Sequence, residues 1–141
     1  MEKTITVKLI NELKEVERLV DIIYDWSNEL SIDATSMYEI SIVFDEIIAN
    51  IIKHGYEDKT EHYIDVTLNL KEDTLTTVIE DDGIEFNPLD FSKDDSTLQL
   101  QDREIGGRGI QIIKWYIDAV DYRRRDNKNI LTINRKIKFK E

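Results

Sequence analysis

Glu46 and Asn50 lie four positions apart in a stretch with helical apolar spacing, so on a helix both side chains project from neighbouring turns of one face, with His54 continuing the row. A carboxylate there can orient a water or hydroxyl, and a carboxamide can give its oxygen to magnesium, which prefers oxygen ligands. Taken alone, the pair is also what any acidic, solvent-facing helix offers. A second cluster, Glu80-Asp81-Asp82-Gly83-Ile84-Glu85-Phe86-Asn87-Pro88, follows an extended stretch. A strand-end carboxylate could accept from an exocyclic amine such as that of adenine, and the glycine would let backbone approach a ligand; the plain alternative is a tight Asp-Gly turn. The third, Gly106-Gly107-Arg108-Gly109-Ile110, holds three of the five glycines and precedes a helical pattern. Backbone N–H groups at such a helix start suit phosphate, although a loop with spare glycines has the same appearance.

The familiar alternatives are missing. No glycine-rich loop ends in Gly-Lys-Ser or Gly-Lys-Thr, and no glycine fingerprint sits in a strand-helix-strand unit. With no cysteine, thiol nucleophiles, thiolate metal sites and disulfides are excluded. The net charge of −11 opposes general binding to nucleic acid or to anionic lipid. No basic leader with an apolar run and no membrane-length apolar stretch is visible, so a cytoplasmic protein is expected.

The elements that must position these residues follow from periodicity. Residues 4 to 9 alternate as a half-buried edge strand, and Leu13, Val16, Leu19, Val20, Ile23 and Trp26 mark a helix from Asn11 to about Leu30. Ser36 and Glu39 resemble a capping box, after which Ile40, Val43, Ile47 and Ile51 carry a second helix to about His54, stopped at Gly55. His62 to Leu70 and Leu75 to Glu80 read as a hairpin turning at Lys71-Glu72-Asp73. From about 84 to 106 the pattern dissolves, and a stretch of that length reads as a lid. Ile110, Ile113, Ile117 and Val120 suggest a third helix, followed by a hairpin of Val120 to Arg125 and Ile130 to Phe139 around Asp126-Asn127-Lys128-Asn129. Residues 1–141 make one domain on this reading: an α+β two-layer sandwich, its mixed, mostly antiparallel sheet covered on one face by about three helices.

In combination and in this order, the three clusters resemble the N box and the two glycine boxes of the ATPase superfamily shared by gyrase, histidine kinases and heat-shock chaperones, which has the Bergerat ATP-binding fold. The stretch Asp45-Glu46-Ile47-Ile48-Ala49-Asn50-Ile51-Ile52-Lys53-His54-Gly55-Tyr56 and the later Phe86-Asn87-Pro88 look most like the bacterial anti-sigma serine kinases. The resemblance implies Glu46 as general base, Asn50 as magnesium ligand, Asp81 as acceptor for the adenine amine and Gly83 as the close-approach glycine. It also implies Gly107 and Gly109 against the phosphates, with Gly106 supporting the turn, Arg108 within the same loop, and Lys53 as a phosphate contact. Asn87 stands where aspartate is usual and Ile110 where leucine is common, and the lid from Asp90 to Glu104 carries no glycine.

The implied protein binds Mg-ATP, sequesters a sigma factor and phosphorylates an anti-anti-sigma partner on serine or threonine, with no direct contact to nucleic acid or membrane. The alternative is a non-catalytic switch in which ATP only sets which partner surface is presented. A histidine-kinase catalytic domain would need a separate helix pair bearing a phospho-acceptor, and His54 reads as a packing or helix-end residue instead. Relatives of this kind often form homodimers, for which an exposed sheet face could serve.

Overall fold

The computed structural model describes residues 2–89 and 113–141. Five strands form one sheet in the order β1-β2-β3-β5-β4, with β1 Glu2–Ile10, β2 Tyr63–Lys71, β3 Thr74–Asp81, β4 Ala119–Arg125 and β5 Lys128–Lys136. Among these strands every pairing is antiparallel, and β1 stands at an edge as its early polar alternation implies. Two helices, α1 Lys14–Glu29 and α2 Ala34–His54, connect β1 to β2. The α+β sandwich expected from the sequence is therefore present, its sheet antiparallel among the described residues.

Period-two alternation turns Ile64, Val66, Leu68 and Leu70 of β2 and Leu75, Thr77, Ile79 and Asp81 of β3 toward the helices, where all are buried. The apolar ones join Leu19 and Ile23 of α1 and Phe44, Ile47, Ile48 and Ile51 of α2 in one core. Fully burying each such side chain contributes about 1.5–3 kcal/mol, which is what holds α2 to the sheet. The opposite sheet face carries Thr6, Thr67, Thr76, Thr132, Asn69 and Asn134, linked by Thr6 Oγ1 to Thr67 Oγ1 at 3.3 Å and by Thr76 Oγ1 donating to Asn134 Oδ1 at 2.6 Å. The same face also carries Val78 and Ile130.

Some expectations need correction. The cap of α2 is Asp33, whose carboxylate accepts from Ser36 N at 2.8 Å, so Ser36 and Glu39 are not a capping box. Asp33 has extended backbone, and its own amide donates to Lys138 O at 2.8 Å, so the terminal segment fixes where the helix starts. Glu39 instead accepts from Arg135 Nη2 at 2.9 Å. Of the expected third helix, residues 113–115 are helical. Ile117 and Val120 are not, because Tyr116 N closes onto Ile113 O and Asp118 N has already joined the sheet at Asn134 O. The last hairpin turns on two residues, Asp126 and Asn127, both at positive φ (53° and 62°), which places Lys128 and Asn129 inside β5 rather than in the turn.

Candidate functional site

α2 exists because its apolar residues recur on one face, and the residues left on the neighbouring stripe are Glu46, Asn50 and Lys53. Asn50 is 8% exposed, and among the described residues its carboxamide is not committed to a hydrogen bond. Glu46 is half-buried, and its pKa is raised first by desolvation and then by Asp45, with Lys53 opposing. Burial thus makes Glu46 a stronger base than a surface glutamate, which is the direction proton abstraction near neutral pH requires. His54 lies at the exposed end of the helix with its ring 6.0 Å from that of Phe86, and desolvation followed by Lys53 lowers its pKa.

The helix end and the strand end meet. Gly55 closes α2, and its carbonyl accepts from Ile84 N at 2.8 Å. Gly83 packs so closely on the same carbonyl that a Cβ there would lie 2.1 Å from Gly55 O. Glycine is required at 83 for this approach. The N box and the first glycine cluster, far apart in sequence, are thereby brought to one seam.

Asp81 is the last residue of β3, 4% exposed and directed to the helix side of the sheet. Its Oδ1 accepts from Gly83 N and from Asn129 Nδ2, each at 2.9 Å. Both donors fall on one oxygen, so the carboxylate is oriented with the second oxygen turned elsewhere. Desolvation, the largest influence, raises its pKa, while Asn129 and Gly83 pull it down.

Asn129 was not singled out in the sequence, where it reads as part of a turn. It pairs directly across from Asp81 in the β3–β5 register and is 2% exposed. Its Nδ2 also donates to Ile84 O at 2.7 Å, and its Oδ1 accepts from Phe86 N at 3.3 Å, Arg124 Nη1 at 3.3 Å and the Tyr122 hydroxyl. Arg124 Nη1 in turn donates to Gly83 O at 2.7 Å. One carboxamide therefore ties the acid, the glycine turn and the following segment together. The available signal was parity, since Asn129 begins the same alternate row as buried Leu131 and Ile133.

Residues 84–89, the expected start of the lid, are anchored: Ile84 and Phe86 are held as described, Leu89 N donates to Asn87 Oδ1 at 3.0 Å, and Leu89 is buried. The rest of the lid, together with Gly106, Gly107, Arg108 and Gly109, lies outside the described residues. Among those described, no cluster of three or more His, Asp or Glu side chains could hold a metal by itself. A lone buried carboxamide fits magnesium only as the ion is usually held with nucleotide, through phosphates, waters and one or two protein oxygens.

A profile described as the histidine kinase-like ATPase domain matches residues 9–135. Among similar proteins are serine/threonine-protein kinase BtrW of Bordetella bronchiseptica, 26% identical over 68% of this chain and 68% of its own length. The anti-sigma F factor of Oceanobacillus iheyensis is 28% identical over 59% of this chain and 57% of its own length. A crystal structure of the RsbU and RsbW domains of Rv1364c from Mycobacterium tuberculosis superposes with a TM-score of 0.68 at 14% identity, covering 96% of this chain and 32% of that one. That likeness concerns the fold. The chain belongs to the histidine kinase-like ATPase domain family, and the proteins it is similar to include a serine/threonine-protein kinase and an anti-sigma F factor.

Proposed function

We propose that this ATPase-family domain, single over residues 1–141, binds Mg-ATP at the seam between α2 and β3 and acts in the cytoplasm as an anti-sigma factor and protein serine/threonine kinase. The observation that carries the reading is Asp81: a buried carboxylate whose Oδ1 is held by two protein donors, beside a glycine whose missing side chain lets backbone close in. Such a group can accept a hydrogen bond from an exocyclic amine, and the close packing of Gly83 on Gly55 fixes the turn that orients it. Similarity to a serine/threonine kinase and to anti-sigma F factors supports the same choice of ligand and of partners, a sigma factor and an anti-anti-sigma protein. A homodimer belongs to this reading.

In this mechanism buried Asn50 would offer its carboxamide oxygen to magnesium, and Lys53, exposed near the end of the helix, would contact the phosphates. The family resemblance implies that the remaining phosphate contacts come from Gly106, Gly107, Arg108 and Gly109. Magnesium, when bound, neutralises charge on the phosphates. Glu46 takes the proton from the attacking serine or threonine hydroxyl, a role suited to a carboxylate whose basicity burial has increased. Little other covalent chemistry is asked of the protein, because phosphoryl transfer depends mainly on positioning and charge.

Incubation of the chain with γ-labelled ATP, magnesium and an anti-anti-sigma protein tests the proposal. Label on a serine or threonine of the partner is expected. ATP binding without labelling would establish the non-catalytic switch instead, and the absence of ATP binding would overturn both.

A further inference from the structure

His62 sits between two carboxylates that come from different parts of the chain. Its Nε2 lies 2.8 Å from Asp58 Oδ1, on the connection after α2, and its Nδ1 lies 3.0 Å from Asp82 Oδ1, on the turn after β3. The ring stacks on Tyr56 with centroids 4.6 Å apart and an interplanar angle of 24°. Thr60 Oγ1 donates to the same Asp58 oxygen at 2.7 Å, and the backbone of His62 is fixed by its amide donating to Asn11 Oδ1 at 2.9 Å and its carbonyl accepting from Asn11 N at 3.1 Å. The imidazole is therefore held in place, and its side chain is 18% exposed.

Both contacts can be donor-to-carboxylate only when both ring nitrogens carry hydrogen, which is the imidazolium. A neutral ring can donate to only one of the two carboxylates, and its other nitrogen turns a lone pair toward the second or, at Nε2, toward the Thr60 hydroxyl 3.1 Å away. The simultaneous hold on both carboxylates is thus closed by charge. We propose that His62 is a positioning residue of the nucleotide site, holding Asp82, and with it the Asp81–Gly83 turn, against the connection after α2 while its imidazole is protonated. This inference rests on the nucleotide reading above. Asp82 is the immediate neighbour of Asp81, and Gly83 N is one of the two donors that orient the Asp81 carboxylate. Loosening Asp82 frees the turn from which that donor comes.

The groups facing the imidazole favour its protonated form. Asp58 and Asp82 touch it, Tyr56 covers one face, Asn11 contributes no charge, and Asp81 with Asp82 and Asp58 acts on the buried Tyr56 hydroxyl. The hydrogen bond to Asp58 raises the pKa of His62, and desolvation opposes it less than the two carboxylates together support it. Protonated clasping is consequently present below the raised His62 value and is lost as pH rises through it.

The test is calorimetric affinity for Mg-ADP from pH 5.5 to 9, measured on the full chain and on His62→Gln and Asp82→Asn, together with an NMR titration of His62. Ligand titration is common to all three proteins, so the informative quantity is the ratio of affinities at each pH. Wild-type protein is expected to bind about two- to fivefold more tightly than His62→Gln at low pH, the scale of a half-exposed ion pair, with the ratio falling to one as His62 deprotonates. Asp82→Asn should remove the same pH-dependent component and lower the His62 midpoint. A ratio constant across pH, or a wild-type midpoint at or below that of a free histidine, overturns the clasp while leaving nucleotide binding intact. Failure of all three proteins to bind Mg-ADP at any pH would instead sink the nucleotide reading and this inference with it.

Discussion

The amide of Ile84 donates to the carbonyl of Gly55 at 2.8 Å, joining the end of α2 to the segment leaving β3. The proposed site depends on that joint, because it ties the end of the helix bearing Glu46 and Asn50 to the turn that follows Asp81. The joint also accounts for Gly83, whose place on the same carbonyl leaves no room for a methyl group.

Gly83→Ala is therefore expected to separate helix end from strand end. The clash is with backbone, which cannot rotate away, and overpacking of this kind costs about 1–3 kcal/mol. Urea unfolding should show that loss, and ATP affinity should fall by more than stability alone explains. A variant that binds ATP like the wild type would show that the close approach is dispensable.

Asn129→Ala removes the side chain that, among the described residues, bonds Asp81, Ile84 and Phe86 together. Buried groups left without partners cost about 1–3 kcal/mol. Chemical denaturation is expected to register a loss of that size. In Asn129→Asp the Asp81 partner becomes a second carboxylate, so nucleotide binding should weaken most at alkaline pH, where both are ionised. Equal binding by both variants and wild type would remove Asn129 from the site.

Glu46→Gln should reduce phosphoryl transfer by about 10²–10⁴-fold, the usual contribution of a positioned base, with ATP affinity nearly unchanged. The wild-type rate should rise with pH through the elevated Glu46 value and then level off, since only the carboxylate accepts a proton. Steady-state labelling across pH checks both points, and undiminished turnover in the Glu46→Gln variant would show that the base lies elsewhere.

Asp33→Ala should destabilise α2 by removing the acceptor for Ser36 N. That hydrogen bond lowers the Asp33 pKa in the folded state. The cap's contribution is thus fully present above the ordinary aspartate value of about 4 and disappears as pH falls through the depressed one. Thermal melts of wild type and variant should differ at neutral pH and converge in acid. A difference that persists undiminished at low pH would contradict the capping role.

Local chemistry made much of this protein legible before any coordinates. Alternation in β2 and β3, the helical recurrence in α2 and the stop at Gly55 are properties of neighbouring residues, and they agree with the final elements to within a few positions. The pairing of Glu46 with Asn50 follows from helix pitch alone. What periodicity could not reveal is which polar residue bonds to which, because those contacts join positions brought together only when the sheet closes. Asn129 resembled a turn residue until the two-residue turn at Asp126 and Asn127 put it opposite Asp81, and Ser36 resembled a cap until Asp33 was held by the terminal segment. The seam of Gly55 with Ile84 and the ring of His62 between Asp58 and Asp82 arise the same way. Hydrogen bonds act over about 3 Å whatever the separation in sequence, so their partners are decided by packing.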